Sequence, residues 1–266
     1  IGSQIYYLCC RVLPMIMANL IFCGHRESTA NPRQKKSEAF MFLPLYDQNP
    51  KRFVIKPYVN YALILLTTFL FTIQYLLPVN AENYVIATFG MVPYWLSDAR
   101  IDQIPFIPDE FTFVTYAFLH GDWLHLLSNM LFLWVFGDNI EDALGHFRYL
   151  LFYLLCAAGG GALHYFVYQD DLSPLVGASG AVAGVIGAYI LLYPKVRVYV
   201  LARIIIPLPL PIPALWVLGA WIAMQIFYVI LPQTSAVAWW AHIGGVIAGM
   251  LLVLLFKRPE VRLFQS

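Results

Sequence analysis

Val176-Gly177-Ala178-Ser179-Gly180-Ala181-Val182-Ala183-Gly184 is the stretch from which the rest of the chain is read. A polar, acidic connection, Gln169-Asp170-Asp171-Leu172-Ser173-Pro174, precedes it, and small apolar residues continue after it to Tyr193-Pro194. The pattern predicts a hydroxyl about one turn inside a helix made mainly of Gly, Ala, Val and Ile. Small neighbours leave room around that hydroxyl and let a second helix come close. By itself the stretch describes two packed membrane helices. It is not the G-x-S-x-G elbow of soluble hydrolases, because its fifth position is Ala181. Any chemistry at Ser179 needs partners from elsewhere in the chain.

The surroundings are those of an integral membrane protein. The chain has 266 residues, 61% of them hydrophobic and 12% charged; soluble domains carry about 25% charged residues. The net charge of +1 offers nothing to nucleic acid. Cys9, Cys10, Cys23 and Cys156 form no C-x-x-C pair, so neither a disulfide framework nor a zinc knuckle is indicated. The sequence has no H-E-x-x-H, and His120 and His125, five apart, do not share a helix face. No metal and no cofactor is expected.

A span needs about 20 mostly apolar residues. Six segments qualify: 57–79, 122 to 136 or a little beyond, 147–168, 175–193, 214–231 and 237–256. Between the first two lies a large loop rich in Phe, Trp, Tyr and Pro, which predicts interfacial structure rather than a loose linker. The alternation Pro207-Leu208-Pro209-Leu210-Pro211-Ile212-Pro213 excludes a regular helix. Lys51, Arg52 and Lys56, then Lys195, Arg197 and Arg203, then Lys257, Arg258 and Arg262 mark one side of the membrane as cytoplasmic. Asp138, Glu141 and Asp142 run against that count. Residues 1–40 form a leader or non-core segment whose apolar run is broken by Arg11 and Pro14, and Met41 is a plausible start. Residues 41–256 are the six-helix membrane domain, and 257–266 a short cytoplasmic tail.

In this topology the second, fourth and sixth spans all enter from outside. Each carries polar residues near its outer end: His125 and Asn129, four apart and on one helix face; Ser179; and His242. Intramembrane polar residues are costly and face a bundle interior or a water-filled cavity. Imidazole is the base that makes a serine hydroxyl nucleophilic near neutral pH. The Asn129 amide, the His125 ring and the N–H groups opening the fourth span are suited to a developing oxyanion. No carboxylate lies at matching depth in spans four to six, so a Ser179–His242 dyad is expected rather than a triad. The pairs Gly180/Gly184 and Gly245/Gly249 allow the close approach that the dyad needs. His164 is a competing base with tyrosine neighbours.

His120-Gly121-Asp122-Trp123-Leu124-His125-Leu126-Leu127-Ser128-Asn129, Gly177-Ala178-Ser179-Gly180 and Ala241-His242-Ile243-Gly244-Gly245-Val246-Ile247-Ala248-Gly249 together resemble the motifs of the rhomboid family, in family order. The resemblance covers about 41–256. It implies an all-α, six-transmembrane-helix bundle with a large first extracytoplasmic loop. It also implies an intramembrane serine endopeptidase with Ser179 as nucleophile, His242 as base, and Asn129 and His125 at the oxyanion. Glu141 resembles the family's acidic residue at the inner end of the second span, a structural position. The implied partners are transmembrane segments of substrate proteins within the lipid bilayer, with cleavage near the outer leaflet of a bacterial plasma membrane. The fifth span and loop 232–238 would be the gate and cap. Some family members carry a tyrosine four residues after the serine; here that position is Ala183, so the support of the His242 ring is an open question. A catalytically silent, client-binding rhomboid-like protein and a channel or transporter are the rivals. Silent members usually lose the serine or histidine, both present here, and a transporter is disfavoured by the lack of a midplane acid or internal repeat.

Overall fold

The apolar runs become helices. The structure, a computed structural model, describes residues 42–96, 107–203, 207–231 and 237–265. The leader and the greater part of the expected cap loop lie outside the described residues. In chain order the main elements are β1 (Phe42–Asp47), α1 (Tyr58–Leu76), α2 (Val79–Phe89), α3 (Trp123–Leu144), α4 (His146–Val167), α5 (Ser179–Leu192), β2 (Arg197–Arg203), β3 (Pro207–Pro213), α6 (Ala214–Ile230) and α7 (Trp239–Phe256). The helices α1, α4 and α7 are long and apolar enough to cross a membrane. Shorter apolar helices are α5 and α6, while α3 carries Asp138, Glu141 and Asp142 in its last two turns.

The chain is mostly helical rather than all-α. A three-stranded antiparallel sheet in the order β1-β2-β3 joins the segment before α1 to the connection between α5 and α6. The proline alternation is the third strand. Ala214 N donates to Val196 O at 2.8 Å, and Gln48 N donates to Arg197 O at 2.9 Å. Even positions of β2 therefore turn toward β3 and odd ones toward β1. The β3 prolines pair with the odd positions Arg197, Tyr199, Leu201 and Arg203. Their missing N–H groups lie on the outer edge of the sheet, where no ladder bond is lost.

The acidic residues at the end of α3 are used by backbone rather than left to oppose the basic count. Asp142 accepts from Arg52 N, Phe53 N and Val54 N at 2.9, 2.7 and 2.6 Å. Glu141, fully buried, accepts from Val59 N and Asn60 N at 3.0 and 2.7 Å, capping the free donors that open α1, and it also holds the His146 ring. Asp138 pairs with Lys51 at 2.8 Å. Beside them, Asp47 of β1 meets the Tyr189 hydroxyl of α5 and accepts from Asn139 Nδ2 at 2.8 Å. Burial pushes the Asp47 carboxyl up to about 7; the Tyr189 hydrogen bond opposes this rise, and nearby Asp138 adds to it. The segment after α7 packs back onto the same end. Phe264 N and Gln265 N donate to Leu191 O and Leu192 O, free acceptors ending α5, at 2.9 and 2.7 Å.

The centre of the bundle is α4, α5 and α7, in contact through glycines. A Cβ on Gly245 would stand 1.9 Å from Gly180 O, and one on Gly249 2.0 Å from Gly184 O. The two small-residue pairs thus face each other turn for turn. Gly160 of α4 completes the contact, since a Cβ there would come within 2.7 Å of Ala241 O.

Candidate active site

Ser179 is the first residue of α5, not one turn inside it. The residues before it are claimed by the loop that follows α1. Leu175 and Met91 exchange N–H···O bonds of 2.8 and 3.1 Å, and Gly177 N donates to Tyr116 O at 3.0 Å. Backbone committed to these bonds cannot enter the helix. Gly177 has φ of 123°, and a Cβ there would also strike the His125 ring at 2.5 Å. Both facts require glycine. Ala178 N–H donates to His120 Nε2 at 3.3 Å, and His120 is held through its own backbone by Gln74 of α1, whose Nε2 donates to His120 O at 2.7 Å. The serine is thus aimed by α1 and the first loop as much as by α5.

His242 enters from α7, one turn from Gly245. Its Nε2 lies 2.9 Å from Ser179 Oγ. The ring is 8% exposed and sits between two indoles, with centroids 5.8 Å from Trp221 and 6.0 Å from Trp239. Its other nitrogen, Nδ1, is 2.8 Å from Gln225 Oε1 of α6, a side chain that is 1% exposed. Gln225 is the residue that sequence reasoning missed. It sits in the apolar run Ala223-Met224-Gln225-Ile226-Phe227, and an intramembrane amide one helical turn from Trp221 is the signal that could have found it. With Trp221 and Trp239 it answers what supports the histidine ring above Ala183.

His125 and Asn129 share the inner face of α3. Asp122 caps that helix, accepting from Leu124 N and His125 N at 2.8 Å each. The His125 ring rests on Gly177, two residues before the serine. Asn129 is 5% exposed, and among the described residues neither its Nδ2 nor His125 Nδ1 has a hydrogen-bond partner. Buried polar groups are nearly always paired, so these two unpaired nitrogens on one face of α3 are exceptions that call for a partner. His164, the competing base, lies against Tyr168 with centroids 5.1 Å apart. The hydroxyl of Ser179 is bonded to His242 and not to His164.

Inside this helical bundle a serine hydroxyl meets an imidazole whose other nitrogen faces a buried amide. Residues 108–259 match the Rhomboid domain family. The chain belongs to the Rhomboid family of membrane proteins. It is 27% identical over 213 residues to Rhomboid protease AarA of Providencia stuartii, covering 73% of this chain and 70% of that protein. It is 27% identical over 158 residues to the mitochondrial Rhomboid protein 1 of Saccharomyces cerevisiae, covering 56% and 42%. To the chloroplastic Rhomboid-like protein 11 of Arabidopsis thaliana it is 38% identical over 84 residues, covering 32% and 30%. The matches thus span less than half the length of the yeast and plant proteins.

Proposed function

We propose that this chain is an intramembrane serine endopeptidase that cuts transmembrane segments of other membrane proteins, using Ser179 and His242. The single observation that carries the reading is the 2.9 Å contact between Ser179 Oγ and His242 Nε2 inside an apolar bundle. The hydroxyl attacks the scissile carbonyl as His242 Nε2 takes its proton. The oxyanion then accepts from the Asn129 amide, with His125 and the N–H groups opening α5 assisting. Collapse of the tetrahedral species passes the proton from His242 to the leaving amine. Water, activated by the same imidazole, releases the acyl group.

Six spans with both ends cytoplasmic follow from this reading, formed by α1, α3, α4, α5, α6 and α7, in a bacterial plasma membrane with the site toward the outer leaflet. Residues 41–256 form the working unit. The helix α6 is the side from which a substrate helix enters, and of its residues only Ala214, Leu218 and Gln225 are buried.

The test compares wild type, Ser179→Ala and His242→Ala, each purified and reconstituted. A fluorophosphonate probe should label wild type at Ser179 and label His242→Ala far less. Cleavage of a model transmembrane substrate should vanish in both variants. Cleavage persisting in Ser179→Ala, free of contaminating protease, overturns the serine mechanism. Wild type that neither cleaves nor labels points instead to client binding without catalysis.

A further inference from the structure

The dyad's hydrogen bonds have a fixed direction, and its origin lies on α6. A main-chain carbonyl can only accept. Trp221 O therefore accepts a hydrogen bond from Gln225 Nε2, at 3.2 Å, which leaves Gln225 Oε1 as the atom facing His242 Nδ1 at 2.8 Å. Rotating the amide would set oxygen against oxygen at one end. With Oε1 in place, His242 Nδ1 must carry the proton, and His242 Nε2 presents its lone pair to Ser179 Oγ. We infer that Gln225 is the positioning residue of this site: it fixes the imidazole tautomer that accepts the serine proton, and it makes that tautomer depend on α6 being in place.

This inference rests on the reading of Ser179 and His242 as a dyad. It goes further in assigning to a neutral amide the orienting task that a carboxylate performs in soluble triads. An amide suits the location. A carboxylate buried there against the His242 ring would need a permanent counter-charge, whereas a glutamine carries its dipole without one. Among the described residues the hydrogen-bond partners of the His242 ring are Gln225 and Ser179, and neither is an acid. The buried face of α6 further supports the assignment. Ala214 and Leu218 anchor its inner half, and Gln225, two turns beyond Leu218, is the buried residue of its outer half. A helix that otherwise turns outward spends its inward contact there on an amide. If α6 moves aside to admit a substrate, the acceptor on Nδ1 moves with it, and the base is restored when the helix returns.

The experiment compares wild type, Gln225→Met and Gln225→Glu. Methionine matches the length and fills the space without an acceptor; glutamate keeps an acceptor oxygen. Two readouts are taken: kcat and KM on a model transmembrane substrate, and the ¹⁵N resonances of the ring in ¹⁵N-histidine-labelled protein. In wild type the His242 resonances should show a protonated Nδ1 and a bare Nε2. Gln225→Met should lower kcat about 10- to 100-fold, the worth of one buried hydrogen bond, with KM little changed and the Nδ1–H signature weakened. Gln225→Glu should regain most of the lost rate, with the acid limb of its kcat profile moved to higher pH wherever the carboxylate is ionised. A purely packing role predicts the reverse order, methionine as good as glutamine and glutamate worse, and that order overturns the inference. A wild-type ring protonated at Nε2 overturns it too. Should wild type neither cleave nor label, the protease reading falls while the ring resonances still decide on Gln225.

Discussion

Gly245→Ala adds one methyl group where the structure has no room for it. The new Cβ would stand 1.9 Å from Gly180 O, while ordinary contacts begin near 3.4 Å. The obstacle is backbone, not a side chain that can rotate away. The separation of α5 and α7 must therefore grow by about 1.5 Å at this level. Gly180 follows Ser179, and Gly245 lies one turn from His242, so the opening falls directly on the 2.9 Å contact between the hydroxyl and imidazole. An opening of that size carries the pair to about 4 Å, beyond hydrogen bonding. A misplacement of about 1 Å at a reacting centre can cost on the order of 100-fold in rate. Overpacking of this kind also lowers stability by about 1–3 kcal/mol. Gly249→Ala meets Gly184 O at 2.0 Å, one turn deeper. It should destabilise as much while costing less activity, because the helices can pivot about the lower contact. Gly219→Ala on α6 meets nothing within 4 Å and serves as the control. The assay is the initial rate of fluorophosphonate labelling, cleavage of a transmembrane substrate and the thermal midpoint in detergent, for all three variants. A Gly245→Ala protein within threefold of wild type in labelling and cleavage would refute the argument that this glycine contact sets the dyad distance.

Two further outcomes are expected. Asn129→Ala removes an amide donor that has no partner among the described residues, so kcat should fall on the order of 100-fold with little change in protein level; unaltered turnover would count against its oxyanion role. Asp47, whose carboxyl burial raises from 3.8 to about 7, binds its proton more tightly folded than unfolded, so its contribution is full below about pH 4 and is lost as pH rises through about 7. That loss is at most about 4 kcal/mol; Asp47→Asn, which mimics the protonated acid, should raise the thermal midpoint above pH 7 and flatten its fall between pH 4 and 7, and an unchanged pH profile would show that this carboxyl is not the cause.

The helices were legible because crossing a bilayer imposes a length and a composition that local sequence cannot hide. The fifth expected span, 214–231, and α6, Ala214–Ile230, differ by one residue. The glycine faces were legible for a similar reason, since small residues four apart in a membrane helix have few uses. The sheet was not. Phe42–Asp47 is short and contains Pro44, and its partner strand lies about 150 residues away, so nothing local marks it. The start of α5 was misjudged because the apolar pattern runs on through Leu175 and Val176. What stops the helix there is a pair of backbone bonds to Met91 plus one to Tyr116, contacts with a distant loop. The charges on α3 opposed the count of basic residues for an equally nonlocal reason, since Asp142 and Glu141 are matched by the N–H groups of residues 52–54 and 59–60.

Gln225 shows the same limit from the side of the site. Serine and histidine announce chemistry by their type and depth, and a search for a third partner naturally looks for a carboxylate at that depth. The absence of one suggests a dyad and leaves the support of its ring open. The structure has a polar partner on Nδ1, and it comes from α6, a helix with only Ala214, Leu218 and Gln225 buried. A carboxylate there would be expensive in an apolar bundle, whereas an amide bonded to its own helix at Trp221 O meets part of its hydrogen bonding within α6. The neutrality of the third residue and its place on an apolar helix are therefore one constraint. A helix with so few buried positions cannot easily carry a buried charge, and the orienting group it carries is accordingly a dipole.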